Sequence, residues 1–137
     1  MPKHVFEVVS KAIKVGAAIA PADRGAASVT SQVFDRRGFT ELICMVQSGA
    51  VTGSPTAMGL SVAVEHSDSP SGGFSTAFTS NVLVNAANSS AFVGVDLSGL
   101  KRYCRFVLSV SFTGGTSPSV LCSAVGVLAG SDSVPAQ

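Results

Sequence analysis

From Ser28 onward the chain alternates apolar and polar positions in short runs, and clusters of turn-forming residues separate them. The cleanest run is MGLSVAVEHS (58–67). Leu60, Val62 and Val64 fall on one side, and Ser61, Ala63 and Glu65 on the other. YCRFVLSVSF (103–112) likewise puts Cys104, Phe106, Leu108, Val110 and Phe112 on one side. A period of two marks a strand with one buried face. FTELICMVQ (39–47) is apolar at both parities, which predicts a central strand. SVTSQVF (28–34), FSTAF (74–78), NVLVN (81–85), AFVGVDL (91–97) and VLCSAVGVLA (120–129) complete the series. The stretches GAVTGSPT (49–56), DSPSGG (68–73), AANSS (86–90), SGLKR (98–102) and TGGTSPS (113–119) read as turns and loops.

Eight or nine short strands at this spacing predict an all-β chain, an antiparallel β-sandwich of jelly-roll type. No segment carries a convincing apolar period of 3.6 residues. Residues 8–20 come nearest to a helix, but Gly16 and the β-branched Val and Ile weaken it. The first 25 residues alternate only loosely and hold four of the nine basic residues, Lys3, Lys11, Lys14 and Arg24. The expected organisation is an N-terminal arm or first strand over 1–25, a sandwich over 26–130 and a flexible tail over 131–137.

Composition narrows the picture. At 137 residues the chain is one domain by length, enough to bury a sizeable core. Only 12% of residues are charged and 46% are apolar, with Ser, Thr and Gly making up much of the rest. Free soluble domains usually keep a mixed charged coat. So bare a surface is expected to be covered in the working state. The net charge of +1 gives no basis for direct nucleic-acid binding. Cys44, Cys104 and Cys122 each sit inside an apolar run, with no Cys-x-x-Cys, and read as buried free thiols of a protein made in a reducing compartment. Lysines scattered up to VGAAIAPA, with Gly16 and Pro21, argue against a signal peptide. No run approaches the ~20 apolar residues of a membrane span.

Catalytic constellations are missing from the pattern. His4 and His66 are too few for a zinc site, and Glu65 and His66, being adjacent, point to opposite faces of a strand. No Gly-x-Ser-x-Gly elbow and no Gly-Lys-Ser/Thr loop occurs. The expectation is no enzyme, no metal and no cofactor. Two basic clusters remain. Arg36-Arg37 share a turn with Asp35, and Lys101-Arg102 with Arg105 frame Tyr103, the one tyrosine. They are either solvated turn charges with Asp35 or Asp96 as local partners, or contacts to an acidic protein surface, where Arg beside Tyr is a common anchor.

The stretches FDRRGFTELICMVQSGAV (34–51), VEHSDSPSGGF (64–74) and VDLSGLKRYCRFVLSV (95–110) also resemble small proteins encoded in the head-gene region of tailed bacteriophages. In those, an Asp-x-Arg/Lys-Gly-aromatic turn opens a strand, and a Lys-Arg-Tyr-x-Arg start opens a later one. Arg36, Gly38, Phe39, Arg102, Tyr103 and Arg105 stand at the matching positions, and the likeness covers roughly residues 34–112. Cys44 and Cys104 are peculiar to this chain.

The resemblance implies a capsid decoration, or cement, protein. Such a protein binds the outside of an assembled head, bridges neighbouring major capsid subunits and does no chemistry. It implies a homo-oligomer, a dimer in preference to a trimer, on the outer surface of the virion after synthesis in the host cytoplasm, with no membrane partner. The candidate contacts are Lys3, Lys11, Lys14, Arg24, Arg36, Arg37, Lys101, Arg102, Tyr103 and Arg105. The alternatives are another structural phage component, such as a head-fibre base, completion or tube protein, and a carbohydrate-binding β-sandwich module.

Overall fold

The structure, a computed structural model, describes residues 13–131. Nine strands occur among them: β1 (Lys14–Arg24), β2 (Ala27–Thr30), β3 (Phe34–Asp35), β4 (Phe39–Thr52), β5 (Ala57–Ser67), β6 (Ser75–Thr79), β7 (Ser90–Asp96), β8 (Tyr103–Thr113) and β9 (Ser119–Ser131). One sheet runs β1-β9-β4-β7. The other runs β2-β8-β5-β6, with β3 also on β8. Every pair is antiparallel.

β2 and β3 are two halves of one interrupted strand on β8. At the break, the buried Ser31 donates its N–H to the Phe106 carbonyl at 2.8 Å, and its hydroxyl accepts the Phe106 N–H at 3.0 Å. A side chain thus completes the ladder where the backbone leaves it. With the two halves counted as one, eight strands wind between the two sheets in the order of a jelly roll.

The alternation places the core. Leu42, Cys44 and Val46 of β4 face Leu60, Val62 and Val64 of β5 and Cys104, Phe106 and Leu108 of β8 across the sandwich, and all are nearly or fully buried. Burying one such Leu or Phe contributes on the order of 1.5–3 kcal/mol. The three cysteines are free and buried. Burial pushes the Cys44 thiol up to about 12 and Cys104 up to about 11, so both stay protonated small hydrophobes.

Besides the break within SVTSQVF (28–34), the strands depart from the sequence expectation in three places. β4 does not stop at Gln47; it continues through Gly49–Thr52 on a shifted register against β9. NVLVN forms no strand. Its Leu83 N–H and Val84 carbonyl pair with Leu60, and Val84 is buried, so the segment plugs the sandwich beside β5. Residues 14–20 of the 8–20 window, the stretch nearest to a helix in sequence, belong to β1, which runs on to Arg24 and pairs along β9. Residues 1–12 of the expected arm and 132–137 of the expected tail lie outside the described residues.

Candidate partner-contact site

The two basic clusters, more than sixty positions apart in sequence, meet at one end of the sandwich. Arg36–Gly38 turns from β3 in one sheet to β4 in the other. Gly38 has φ 87°, the left-handed region that glycine enters without strain, and the Phe39 N–H closes the turn on the Arg36 carbonyl at 2.9 Å. The Asp35 carboxylate accepts the Arg37 N–H at 3.0 Å, as an Asx turn does. The Arg36 N–H donates to the Arg102 carbonyl at 2.9 Å. The Arg36 guanidinium reaches into the β7–β8 loop, where it donates to the carbonyls of Leu100 at 2.9 Å and Lys101 at 3.2 Å.

The second cluster is fixed in return. Arg102 donates from Nε at 2.9 Å and Nη2 at 2.7 Å to Asp35 Oδ2. That guanidinium lowers the Asp35 carboxyl below the usual carboxylate range, and the pairing raises Arg102. Arg102 also lies over the Tyr103 ring, 5.1 Å from its centroid. Arg105 pairs with Glu65 directly across the β5–β8 ladder, Nε to Oε1 at 2.7 Å, and lies 4.2 Å from the centroid of Phe74. Lys101 donates its N–H to His66 Nδ1 at 3.1 Å, and its ammonium is 3.6 Å from Asp68. His66 thus helps to hold the loop.

The rim therefore carries five cations, Arg36, Arg37, Lys101, Arg102 and Arg105, against three carboxylates, Asp35, Glu65 and Asp68. Most of the cations are committed to holding the turns. Arg37 is exposed, and its guanidinium has no hydrogen bond or ion pair among the described residues. Lys14, at the start of β1, lies at the same end and is exposed. Arg24 lies at the other end, where its guanidinium donates to the Cys122 carbonyl at 2.7 Å and the Ala20 carbonyl at 2.9 Å, tying the irregular end of β1 to β9. Lys3 and Lys11 lie outside the described residues.

A second surface was not singled out by the sequence. The outer face of β2-β8-β5 is hydroxyl-rich, with Ser28, Ser61, Ser109 and Ser111 along it. The outer face of β1-β9-β4-β7 is apolar. One row crosses all four strands in register, Ala18, Val125, Met45 and Phe92, and a second carries Val15, Val127, Ile43 and Gly94. Phe92 is 69% exposed and Val15 62%. A shallow hollow of about 270 Å³ opens over Ala18, Ala20, Pro21 and Met45, and another of about 340 Å³ over Gly94, between Glu41 and Asp96. The signal was present in the sequence: β4 and β9 are apolar at both parities. In β4 that marks a face left open rather than a strand covered on both sides. No group of three or more metal-ligating side chains occurs among the described residues.

No protein-family model matches the chain, and no curated protein does. Solved structures do. The VP2 subviral particle of infectious bursal disease virus superposes with a TM-score of 0.50 at 11% identity, over 86% of this chain and 33% of that one. The structure of the Gt strain of the same virus gives 0.49 at 11% identity, over 90% and 33%. This chain thus spans about a third of the length of those two. A xylanase of Clostridium thermocellum containing a CBM22 module gives 0.41 at 12% identity, over 90% and 28%, too low to carry an argument. At these identities the likeness is one of fold. The chain is an all-β jelly roll, a fold it shares with a viral particle protein.

Proposed function

We propose that this chain is a structural protein of a virus particle. It binds the outer surface of an assembled tailed-phage head and cements neighbouring major capsid subunits. The observation that carries the reading is the rim: five cations and Tyr103 gathered on one end of a rigid sandwich, with Arg37 exposed and unengaged by the described residues. The turn and the strand start that carry the phage resemblance are the two halves of this rim. The jelly-roll fold shared with the VP2 particle supports a place in a shell.

The mechanism is mass action. A protein that binds only the assembled shell stabilises it by its binding free energy, and many copies that each touch more than one subunit add avidity. The internal ties of Arg36, Arg102 and Arg105 pre-organise the rim, which lowers the ordering cost of docking. The protein does no chemistry of its own. The test uses heads that lack the protein: the purified chain is added and the temperature of genome release is followed. A saturable rise, reduced by Arg37→Glu, is the expected result. An unchanged release temperature at saturating protein contradicts the proposal.

A further inference from the structure

His66 closes the inward row of β5, and it holds the loop that carries half of the rim. The ring is half-buried, in the row of Cys104 and Ser75, on the side of the strand where Val62 and Val64 are buried. Its Nδ1 accepts the Lys101 N–H at 3.1 Å. A ring nitrogen accepts only while it carries no proton, so this bond requires the neutral imidazole with its hydrogen on Nε2. The carbonyl of the same residue accepts from the Arg36 guanidinium at 3.2 Å and from the Cys104 thiol at 3.5 Å. Lys101 is thus gripped at its N–H by His66 and at its carbonyl by Arg36 and Cys104.

We infer that His66 is an acid-sensitive latch on the β7–β8 loop, and that its protonation releases Lys101 and unsettles the rim. Once the ring takes a second proton both nitrogens donate, and an N–H faces an N–H. The ring or the loop must then move. Arg36 is bonded to Leu100 and Lys101, and Arg102, the next residue along, is bonded to Asp35. Movement of Lys101 therefore reaches both halves of the rim. Histidine is the ordinary side chain that changes charge between about pH 5 and 8.

The surroundings offer the second proton no free carboxylate. On β5 itself, Glu65 lies on the opposite face and is taken by Arg105 across the ladder at 2.7 Å. Asp68, just past the strand, is 3.6 Å from the Lys101 ammonium. β8 presents the Cys104 thiol, which burial keeps neutral. β6 presents Ser75, which is uncharged. The β7–β8 loop and the β3–β4 turn bring Lys101, Arg102, Arg36 and Arg37, with Asp35 already taken by Arg102. In the facing sheet the inward residues at this end of β4 and β7 are Leu42 and Val95, while Glu41 and Asp96 lie on the outer face. Lys14, on β1, stands at the far edge of that sheet. An imidazolium here joins cations. The loop release is a property of the free chain; its consequence, weaker docking in acid, rests on the reading of the rim as the docking end.

The experiment is a pH titration of the full chain without particles, by two-dimensional amide NMR from about pH 8 to about pH 5. Three proteins are compared: unmodified, His66→Asn and, as a control on the other histidine, His4→Asn. Asparagine offers an acceptor oxygen and does not titrate. In the unmodified protein and in His4→Asn, the Lys101 amide resonance moves with the midpoint of the His66 ring signals. Its protection from hydrogen exchange, corrected for the intrinsic rate, falls about fivefold, as the loss of one hydrogen bond implies. In His66→Asn neither changes. A Lys101 amide that does not follow the ring, or that responds equally in His66→Asn, overturns the latch. Binding to heads that lack the protein is then measured at both ends of the pH range. Binding that weakens in acid for the unmodified chain but not for His66→Asn is the expected result. Binding unchanged by acid while the amide titrates overturns the link to docking. Absence of binding at every pH overturns the capsid reading instead, and the latch is still decided by the amide titration.

Discussion

A single oxygen of Asp35 accepts both hydrogen bonds from the guanidinium of Arg102, at 2.9 and 2.7 Å, and so joins turns 67 residues apart. The pair sets an acid limit on the rim. Arg102 holds the folded Asp35 carboxyl below its ordinary value of 3.8. In the window between the two values the unfolded chain binds more protons, so acidification favours unfolding there. The stabilisation is fully present above the ordinary value and is lost as pH falls through the lowered one. Asp35→Asn keeps the Asx acceptor for Arg37 and removes the charge. It is expected to cost ~0.5–1 kcal/mol in urea unfolding at pH 6, as partly exposed pairs do, and progressively less below about pH 4. A cost that does not change with pH would contradict this.

Arg36 and Arg37 are neighbours with different duties. Arg36 satisfies the Leu100 and Lys101 carbonyls, so Arg36→Ala should loosen the β7–β8 loop and destabilise the fold by ~1–2 kcal/mol. Arg37→Glu should leave stability within ~0.5 kcal/mol, as exposed substitutions do, and weaken particle binding. Thermal melts set beside binding of each variant to particles separate the two effects. A destabilised Arg37→Glu would mean that its guanidinium has a structural partner.

Gly126 on β9 faces the core. A Cβ there would stand 3.0 Å from Phe106 Cε1 and 3.1 Å from Leu42 Cδ1. Gly126→Ala should therefore destabilise by ~1–3 kcal/mol through overpacking. The same change in a Phe106→Leu background should cost less, because the ring that it strikes is gone. Additive costs in chemical denaturation would show that the two sites do not share this space.

Much of the fold was legible because strand alternation is local. Leu60, Val62 and Val64 on β5 and Cys104 to Val110 on β8 are buried as their parity predicts. What escaped depends on partners distant in sequence. Phe34 and Ser31 are both buried although they differ in parity, because the strand breaks between them and Ser31 bonds to Phe106. Val82, Leu83 and Val84 look like a strand, but only Val84 is buried, pinned to Leu60. In the site, residue type and turn position showed that Arg36, Arg102 and Arg105 stand out. They could not show that each is tied to a carbonyl or a carboxylate, nor that Arg24 lies at the far end bonded to Cys122. The apolar outer face of β4 suggests burial on both sides, since a sequence does not distinguish a strand covered on both faces from one with an open apolar face.

The most direct measurement is a count. Purified protein is mixed with heads that lack it, the particles are sedimented, and bound copies per major capsid subunit are determined. Cementing predicts saturation at a fixed ratio that amounts to hundreds of copies per particle. No binding, or saturation at a single ring's worth of copies, would contradict it and move the protein to the portal or the tail.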